Sequence, residues 1–216
     1  ARRAGRRAAL VGYTNAGKSS LMRALTGADV LVEDAPFATL GATVRTLAPP
    51  ASPPIFVTDT VGFIRNLPHE LVASFRSTLA EAREASLLVH VVDGSDPEWP
   101  AQMRVTRESL RAIGAGELPE LLVFNKADRI DEKTRSALRA AHPEALIVSS
   151  HEPSGVRRLR EAIVAALDAE LIGALLTLPH AEGRRLGEVR ERARVVAETW
   201  TETGVTLSVR ATEADL

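Results

Sequence analysis

The chain has 216 residues, of which 45% are hydrophobic and 25% charged, and its formal net charge is −1. These totals are typical of a globular protein with one sizeable core and do not by themselves indicate a polyanionic partner. The sequence contains no cysteine, which excludes disulfides, thiolate metal sites and a cysteine nucleophile, and it has no apolar run of about 18 residues that would span a membrane.

Basic residues are concentrated in two places. Four arginines lie within residues 2–7 and five within residues 184–194. Such runs form either a solvated surface or a contact with nucleic acid, and the sequence leaves both open. The first basic stretch starts without a methionine, which favours a longer parent protein.

Short apolar runs alternate with amphipathic stretches in the first part of the chain. Strands are predicted over residues 8–11, 43–47, 55–58, 87–92, 121–124 and 145–148, and helices over 18–26, 68–82, 101–113, 131–141 and 156–170, with a loop over 28–42. This order predicts an α/β domain over residues 1–172, built on a doubly wound, mostly parallel sheet.

The pattern changes after Gly173. A strand over residues 175–178, an arginine-rich helix over 182–198 and a strand over 205–209 predict a small α/β unit, residues 173–216. Because about 40 residues bury too little apolar surface for a strong core, we expect this unit to pack against the first domain or against something outside this sequence.

A glycine-rich loop joins the first predicted strand to the first predicted helix. It matches the phosphate-binding pattern G-x-x-x-x-G-K-[ST] in full, with Gly12, Tyr13, Thr14, Asn15, Ala16, Gly17, Lys18 and Ser19, followed by Ser20. The glycines let backbone N–H groups approach phosphates, Lys18 adds a positive charge, and the Ser19 hydroxyl is suited to Mg²⁺. The loop therefore predicts nucleotide binding.

The identity of the base is indicated by Asn125, Lys126 and Asp128, which follow a predicted strand. The Asp128 carboxylate can accept hydrogen bonds from N1–H and the 2-amino group of guanine, whereas adenine offers neither donor, so ATP should be rejected. Asn125 is expected to brace the loop, and the stem of Lys126 to cover the base. The alternative is that Asp128 or Asp131 simply caps the next helix.

A third contact to the base is predicted after the last strand of the sheet. Backbone N–H groups of Ser149, Ser150 and His151 would face the guanine O6, although a plain turn explains the same residues. GTP and GDP are thus the expected ligands.

Two segments are predicted to respond to the γ-phosphate. In Asp59-Thr60-Val61-Gly62, Asp59 would hold Mg²⁺ and the Gly62 N–H would reach the γ-phosphate. A hydroxyl on the preceding loop should complete the metal site, and both Thr39 and Thr43 qualify by residue type. Since Phe63 stands where many GTPases have a water-orienting Gln, intrinsic hydrolysis should be slow.

Longer stretches around these motifs resemble the HflX family of ribosome-associated P-loop GTPases. The resemblance lies in Gly12–Leu21, in Phe37-Ala38-Thr39-Leu40 and in residues 59–71. It implies that Thr39 is the switch threonine that binds Mg²⁺, and it adds Phe37 and Ala38 to the nucleotide-binding residues. Where the family usually has Asp-Pro-Thr-Thr-Arg, this chain reads Gly41-Ala-Thr-Val-Arg45, so Thr43 stays an alternative.

The resemblance also implies a partner and a location. It predicts a cytoplasmic factor whose GTP hydrolysis is stimulated by the rRNA and protein of the large ribosomal subunit, with a role in ribosome splitting or rescue. A monomer is expected by default, since nothing in the sequence indicates an oligomer. In some related GTPases an Asn at the position of Asn15 helps hold K⁺, whose charge replaces an arginine finger, although Asn is also favoured by tight turns. The alternative function is a GTP-binding switch that acts on a non-ribosomal partner, with hydrolysis incidental.

Overall fold

A six-stranded sheet forms the centre of the first domain. The computed structural model describes residues 6–27, 43–59 and 82–213. The strands are β1 (Arg6–Val11), β2 (Thr43–Thr46), β3 (Ile55–Asp59), β4 (Leu87–Asp93), β5 (Glu120–Asn125) and β6 (Leu146–Ile147), in the spatial order β2-β3-β1-β4-β5-β6. Among these described strands only β2 is antiparallel to its neighbour. The predicted mostly parallel sheet is confirmed.

Helices cover both faces of this sheet, and their bounds are α1 (Lys18–Thr26), α2 (Trp99–Ala112), α3 (Glu132–Ala141) and α4 (Pro153–Ala169). Along β1, Ala8 and Leu10 pack toward the core shared with α1 and α4, whereas Ala9 and Val11 pack toward Leu110 of α2. Since both faces are buried, the strand is a continuous apolar run, as parallel strands usually are. The doubly wound architecture follows from this division of the core.

The C-terminal unit is a second, three-stranded sheet with one helix. It consists of β7 (Ile172–Pro179), α5 (Gly183–Arg192), β8 (Arg194–Trp200) and β9 (Gly204–Ala211), in the antiparallel order β7-β9-β8. Its core includes Leu207 and Val209, which pack with Leu186 and Val189 of α5. β7 begins next to the predicted boundary at residue 173, and the division into two domains stays a prediction.

The predicted helix over residues 182–198 is wrong beyond Arg192. Residues 194–200 instead form β8, which pairs with β9 and contains a bulge between Val195 and Ala197. The segment contains β-branched and aromatic residues that favour a strand, and its hydrogen bonds to β9 stabilise the strand conformation. The local arginine-rich pattern contains no information about this pairing between strands.

The second sheet leans on the C-terminal end of α4, as expected. Arg194 Nη1 donates to Asp168 Oδ2 at 2.7 Å, and Arg210 Nη2 donates to the carbonyl oxygens of Asp168 and Leu171 at 3.1 and 3.0 Å. The buried Arg6 guanidinium of β1 pairs with the other oxygen of the same carboxylate. Asp168 therefore links the two sheets.

The arginines of α5 are largely neutralised by glutamates. The ion pairs are Arg184–Glu188, Arg185–Glu182 and Arg190–Glu198. This pairing favours the solvated-surface interpretation over a nucleic-acid contact. Within the described ranges, no helix has the length and apolar character needed to cross a membrane.

Candidate nucleotide-binding site

The predicted site residues that the structure describes meet at one edge of the six-stranded sheet. The phosphate loop follows β1, Asp59 ends β3, Asp93 ends β4, Asn125 ends β5, and Ser149 comes shortly after β6. These strands are parallel, so their carboxyl ends lie side by side. Ligands of open α/β sheets bind at this edge, where the loops converge.

Two glycines allow the phosphate loop to pass close to the neighbouring strands. A Cβ at Gly12 would lie 2.1 Å from the Val91 carbonyl oxygen. Gly17 has φ of 90°, and a Cβ there would lie 2.3 Å from Asn125 Nδ2. Both a left-handed backbone and a close approach therefore require glycine at position 17.

Lys18 begins α1 and lies inside the loop rather than in solvent. Its Nζ donates to the carbonyl oxygens of Gly12 and Tyr13, at 3.3 and 3.1 Å. Burial lowers the pKa of Lys18 to about 8, although the negative charge of Asp59 opposes the shift. A buried ammonium at a helix N-terminus is suited to bind phosphate oxygens.

Ser19 and Asp59 form the candidate magnesium site. The Ser19 hydroxyl donates to Asp59 Oδ2 at 2.9 Å, and Asp59 is fully buried. In the described ranges no cluster of three or more His, Cys, Asp or Glu side chains is suited to hold a metal. A hydroxyl and one carboxylate fit Mg²⁺, which keeps several waters and takes other ligands from phosphates.

The side chain of Asn125 connects the phosphate loop to the base-recognition loop, which we define as residues 125–130, the segment that starts at the end of β5 and is predicted to recognise the base. Its Nδ2 donates to the Ala16 carbonyl oxygen at 3.0 Å, and its Oδ1 accepts from the Ser150 N–H at 3.2 Å. Asn125 is fully buried, so both bonds are shielded from water. These two bonds are the kind that a bracing role needs, and the nucleotide-binding role of Asn125 stays a prediction.

Asp128 is held by a residue after the last strand of the sheet. The Ser149 hydroxyl donates to Asp128 Oδ1 at 2.6 Å, and this bond keeps the pKa of Asp128 below its ordinary value. Asp131, not Asp128, is the N-cap of α3, where it accepts from the Thr134 N–H at 2.8 Å. Asp128 is therefore left with a partly exposed carboxylate beside the loop.

Lys126 has a left-handed backbone, with φ of 61°, and its Nζ lies 2.7 Å from Asp93 Oδ2. Sequence reasoning missed Asp93. The available signal was an acidic residue at the end of a buried strand, at the edge where the other site residues converge.

The other predicted site residues lie in the phosphate loop, after β6, on β2 and outside the described ranges. Asn15 has φ of 62°, which a tight turn explains. The His151 N–H donates to Ser149 Oγ, and the Ser150 N–H is used by Asn125, so the O6 contact stays a prediction. Thr43 lies opposite Asp59 in the β2–β3 register. Outside the described residues lie Phe37, Ala38, Thr39, Thr60, Val61, Gly62 and Phe63.

Sequence comparisons point to one family. A family model described as 50S ribosome-binding GTPase matches residues 7–126. GTPase HflX of Gluconacetobacter diazotrophicus is 58% identical over 99% of this chain, and the match covers 48% of that relative. GTPase HflX of Escherichia coli K12 is 38% identical, with coverage of 93% of this chain and 48% of the relative. The chain thus spans about half the length of these curated relatives.

Solved structures share the fold. A GTP-binding protein from the archaeon Sulfolobus solfataricus, in complex with GDP, is 29% identical with a TM-score of 0.60, over 75% of this chain and 52% of that one. An Era variant from Aquifex aeolicus bound to GDP·AlF4− is 22% identical with a TM-score of 0.58, over 74% and 55% of the two chains, and supports the fold alone.

Proposed function

Because the chain belongs to the HflX family of GTPases, we propose that it binds GTP and GDP with Mg²⁺ and hydrolyses GTP under stimulation by the large ribosomal subunit. The observation that carries this proposal is the Asn125 side chain, which ties a phosphate loop to a base-recognition loop through one buried hydrogen bond. A phosphate site alone would serve any nucleotide, whereas the two sites together favour guanine nucleotides.

Selection of guanine rests on Asp128. Its carboxylate would accept from N1–H and the 2-amino group of the base. Oδ1 accepts from the Ser149 hydroxyl and Oδ2 lies 4.0 Å from Arg129 Nε, and each carboxylate oxygen can accept a further hydrogen bond. Adenine would place an acceptor against a negative charge. Leaving the Asp128 carboxylate without these two donors costs about 1–3 kcal/mol, so ATP should bind far more weakly than GTP.

Hydrolysis would proceed by in-line attack of water on the γ-phosphate. The Lys18 ammonium and the N–H groups of the phosphate loop would stabilise charge on the phosphate oxygens. Ser19 and Asp59 would hold Mg²⁺, which supplies further positive charge when bound. Outside the described residues, Thr39 would add a metal ligand and Gly62 a γ-phosphate contact.

Stimulation by a partner is expected because the sequence has Phe63 where many GTPases have a water-orienting Gln. Since Phe63 cannot polarise water, a partner, a cation or another residue must complete the site. K⁺ held by Asn15, whose charge would replace an arginine finger, is one candidate. The description of the matching family model, 50S ribosome-binding GTPase, supports the large ribosomal subunit as the partner. A cytoplasmic location and a role in splitting or rescuing ribosomes belong to the same proposal.

The test is phosphate release from GTP in K⁺ and in Na⁺ buffer, with and without purified large subunits, compared with a Ser19→Ala control. We expect slow release from the chain alone, a large stimulation by the subunits and little release from the control. Fast multiple turnover without subunits would contradict the partner requirement. Equal stimulated rates in the two buffers would refute the K⁺ role, and no stimulation would refute the ribosomal partner for these residues.

A further inference from the structure

The Lys126 side chain is fixed at both ends. Its backbone has φ of 61°, a conformation that costs a non-glycine residue about 1 kcal/mol or more. Its ammonium lies 2.7 Å from Asp93 Oδ2, and the two side chains are 18% and 14% exposed. An ion pair this sheltered restrains the four-carbon stem between the two ends far more than a surface pair would.

The Asp93 carboxylate is itself held in place. Asp93 Oδ1 accepts from the Ser95 N–H at 3.0 Å and from the Ser95 hydroxyl at 2.6 Å, which leaves Oδ2 for Lys126. Burial alone would raise the pKa of Asp93, but the bonds from Lys126 and Ser95 outweigh it and keep the pKa below its ordinary value. The carboxylate is therefore a pre-organised anion.

The turn that contains Asp93 is continuous with the base-recognition loop. Asp93 pairs with Asn125 at the end of the β4–β5 register, and the Gly94 N–H donates to the Asn125 carbonyl oxygen at 3.1 Å. A Cβ at Gly94 would lie 2.7 Å from Ile130 Cδ1, beyond the other end of the loop. Asp93 and Gly94 thus contact Lys126 and Asn125 directly, and Ser95 holds Asp93.

We propose that Asp93 is a positioning residue for guanine-nucleotide binding, which acts by holding the Lys126 stem against the face of the base. This inference rests on the proposed function, because the stem contacts a base only if guanine nucleotides bind here. Asp93 would not touch the nucleotide. Its removal would leave the ammonium free to move into solvent and would uncover one face of the base.

The experiment measures the affinity of this chain for a fluorescent GDP analogue, with Asp93→Asn compared with Asp96→Asn. Asp96 lies in the same turn, but it accepts from the Glu98 N–H and from Gln102 and is not paired with Lys126. We expect Asp93→Asn to weaken binding about tenfold, mainly through faster dissociation, and Asp96→Asn to stay within about twofold of the unmodified chain.

Two further readouts separate positioning from a purely structural role. In a Lys126→Met background, which keeps most of the stem but not the charge, Asp93→Asn should weaken binding by no more than about twofold. The ratio of GDP to IDP affinity reports the contact of Asp128 with the 2-amino group, and Asp93→Asn should leave that ratio unchanged. A disordered loop would lower the ratio as well.

The outcomes are distinct. If the unmodified chain binds no guanine nucleotide, the proposed function fails and this inference fails with it. If it binds, but the two Asp→Asn variants behave alike, only the positioning role of Asp93 is overturned. A tenfold loss that persists in the Lys126→Met background would also overturn it, because Asp93 would then act through the turn rather than through Lys126.

Discussion

Helix α1 is flanked by two glycines with left-handed backbones, and replacing each by alanine separates two physical effects. Gly17 precedes the helix with φ of 90°, and Gly27 follows it with φ of 66°. A Cβ at Gly27 meets no atom within 4 Å, whereas a Cβ at Gly17 would lie 2.3 Å from Asn125 Nδ2. Gly27→Ala therefore introduces backbone strain alone, and Gly17→Ala adds a collision at the bond that joins the two nucleotide loops.

The expected magnitudes follow from these contacts. Strain at a left-handed position costs about 1 kcal/mol, which is the full expected loss of unfolding free energy for Gly27→Ala. For Gly17→Ala the Asn125 side chain must also move, and breaking its buried bond to the Ala16 carbonyl adds about 1–3 kcal/mol. We expect a total loss of about 2–4 kcal/mol, with guanine-nucleotide affinity lowered by about 100-fold or more.

Urea unfolding and titration with a fluorescent GDP analogue measure the two quantities on the same preparations. Gly27→Ala should bind the analogue within about threefold of the unmodified chain, because its strain lies at the far end of α1. Equal losses of affinity in the two variants would refute the reasoning, since the collision with Asn125 would then contribute nothing.

Three other predictions follow from the described contacts. Ser149→Ala should weaken GDP binding about fivefold and lower the ratio of GDP to IDP affinity, because Asp128 loses the hydroxyl that orients it. Between about pH 7.5 and 9.5, the unfolding free energy of the nucleotide-free chain should rise by about 2 kcal/mol relative to that of Lys18→Met. The pKa of Lys18 is about 8 when folded, against an ordinary value of 10.5, so the unfolded chain binds more protons in this window and stability rises with pH. Asp168→Asn should lower the unfolding free energy by about 2 kcal/mol and speed amide exchange in the C-terminal sheet, because the buried Arg6 guanidinium loses its counterion.

Each of these has a clear contrary result. An unchanged GDP to IDP ratio would mean that Ser149 does not orient the base contact. Parallel pH profiles for the unmodified chain and Lys18→Met would mean that the ammonium is solvated. Unfolding and exchange that are unaffected by Asp168→Asn would mean that the two sheets are held together by other contacts.

The sequence by itself was sufficient for the features that local pattern encodes. The loop from Gly12 to Ser19 was recognised because closely spaced glycines, a lysine and a serine are required together to surround phosphates. β1 and β4 were recognised because strands buried on both faces are continuous apolar runs. Asn125 and Asp128 were recognised because their chemistry matches guanine.

Tertiary structure decided which side chains support those residues. Asp93 supports Lys126, and Ser149 supports Asp128, because parallel strands bring their loops to one edge of the sheet. The last five residues of the helix predicted at 182–198 belong to β8 for a similar reason, since they pair with β9. Hydrogen bonds between residues far apart in the sequence produce no local pattern, so they can be identified only from the tertiary structure.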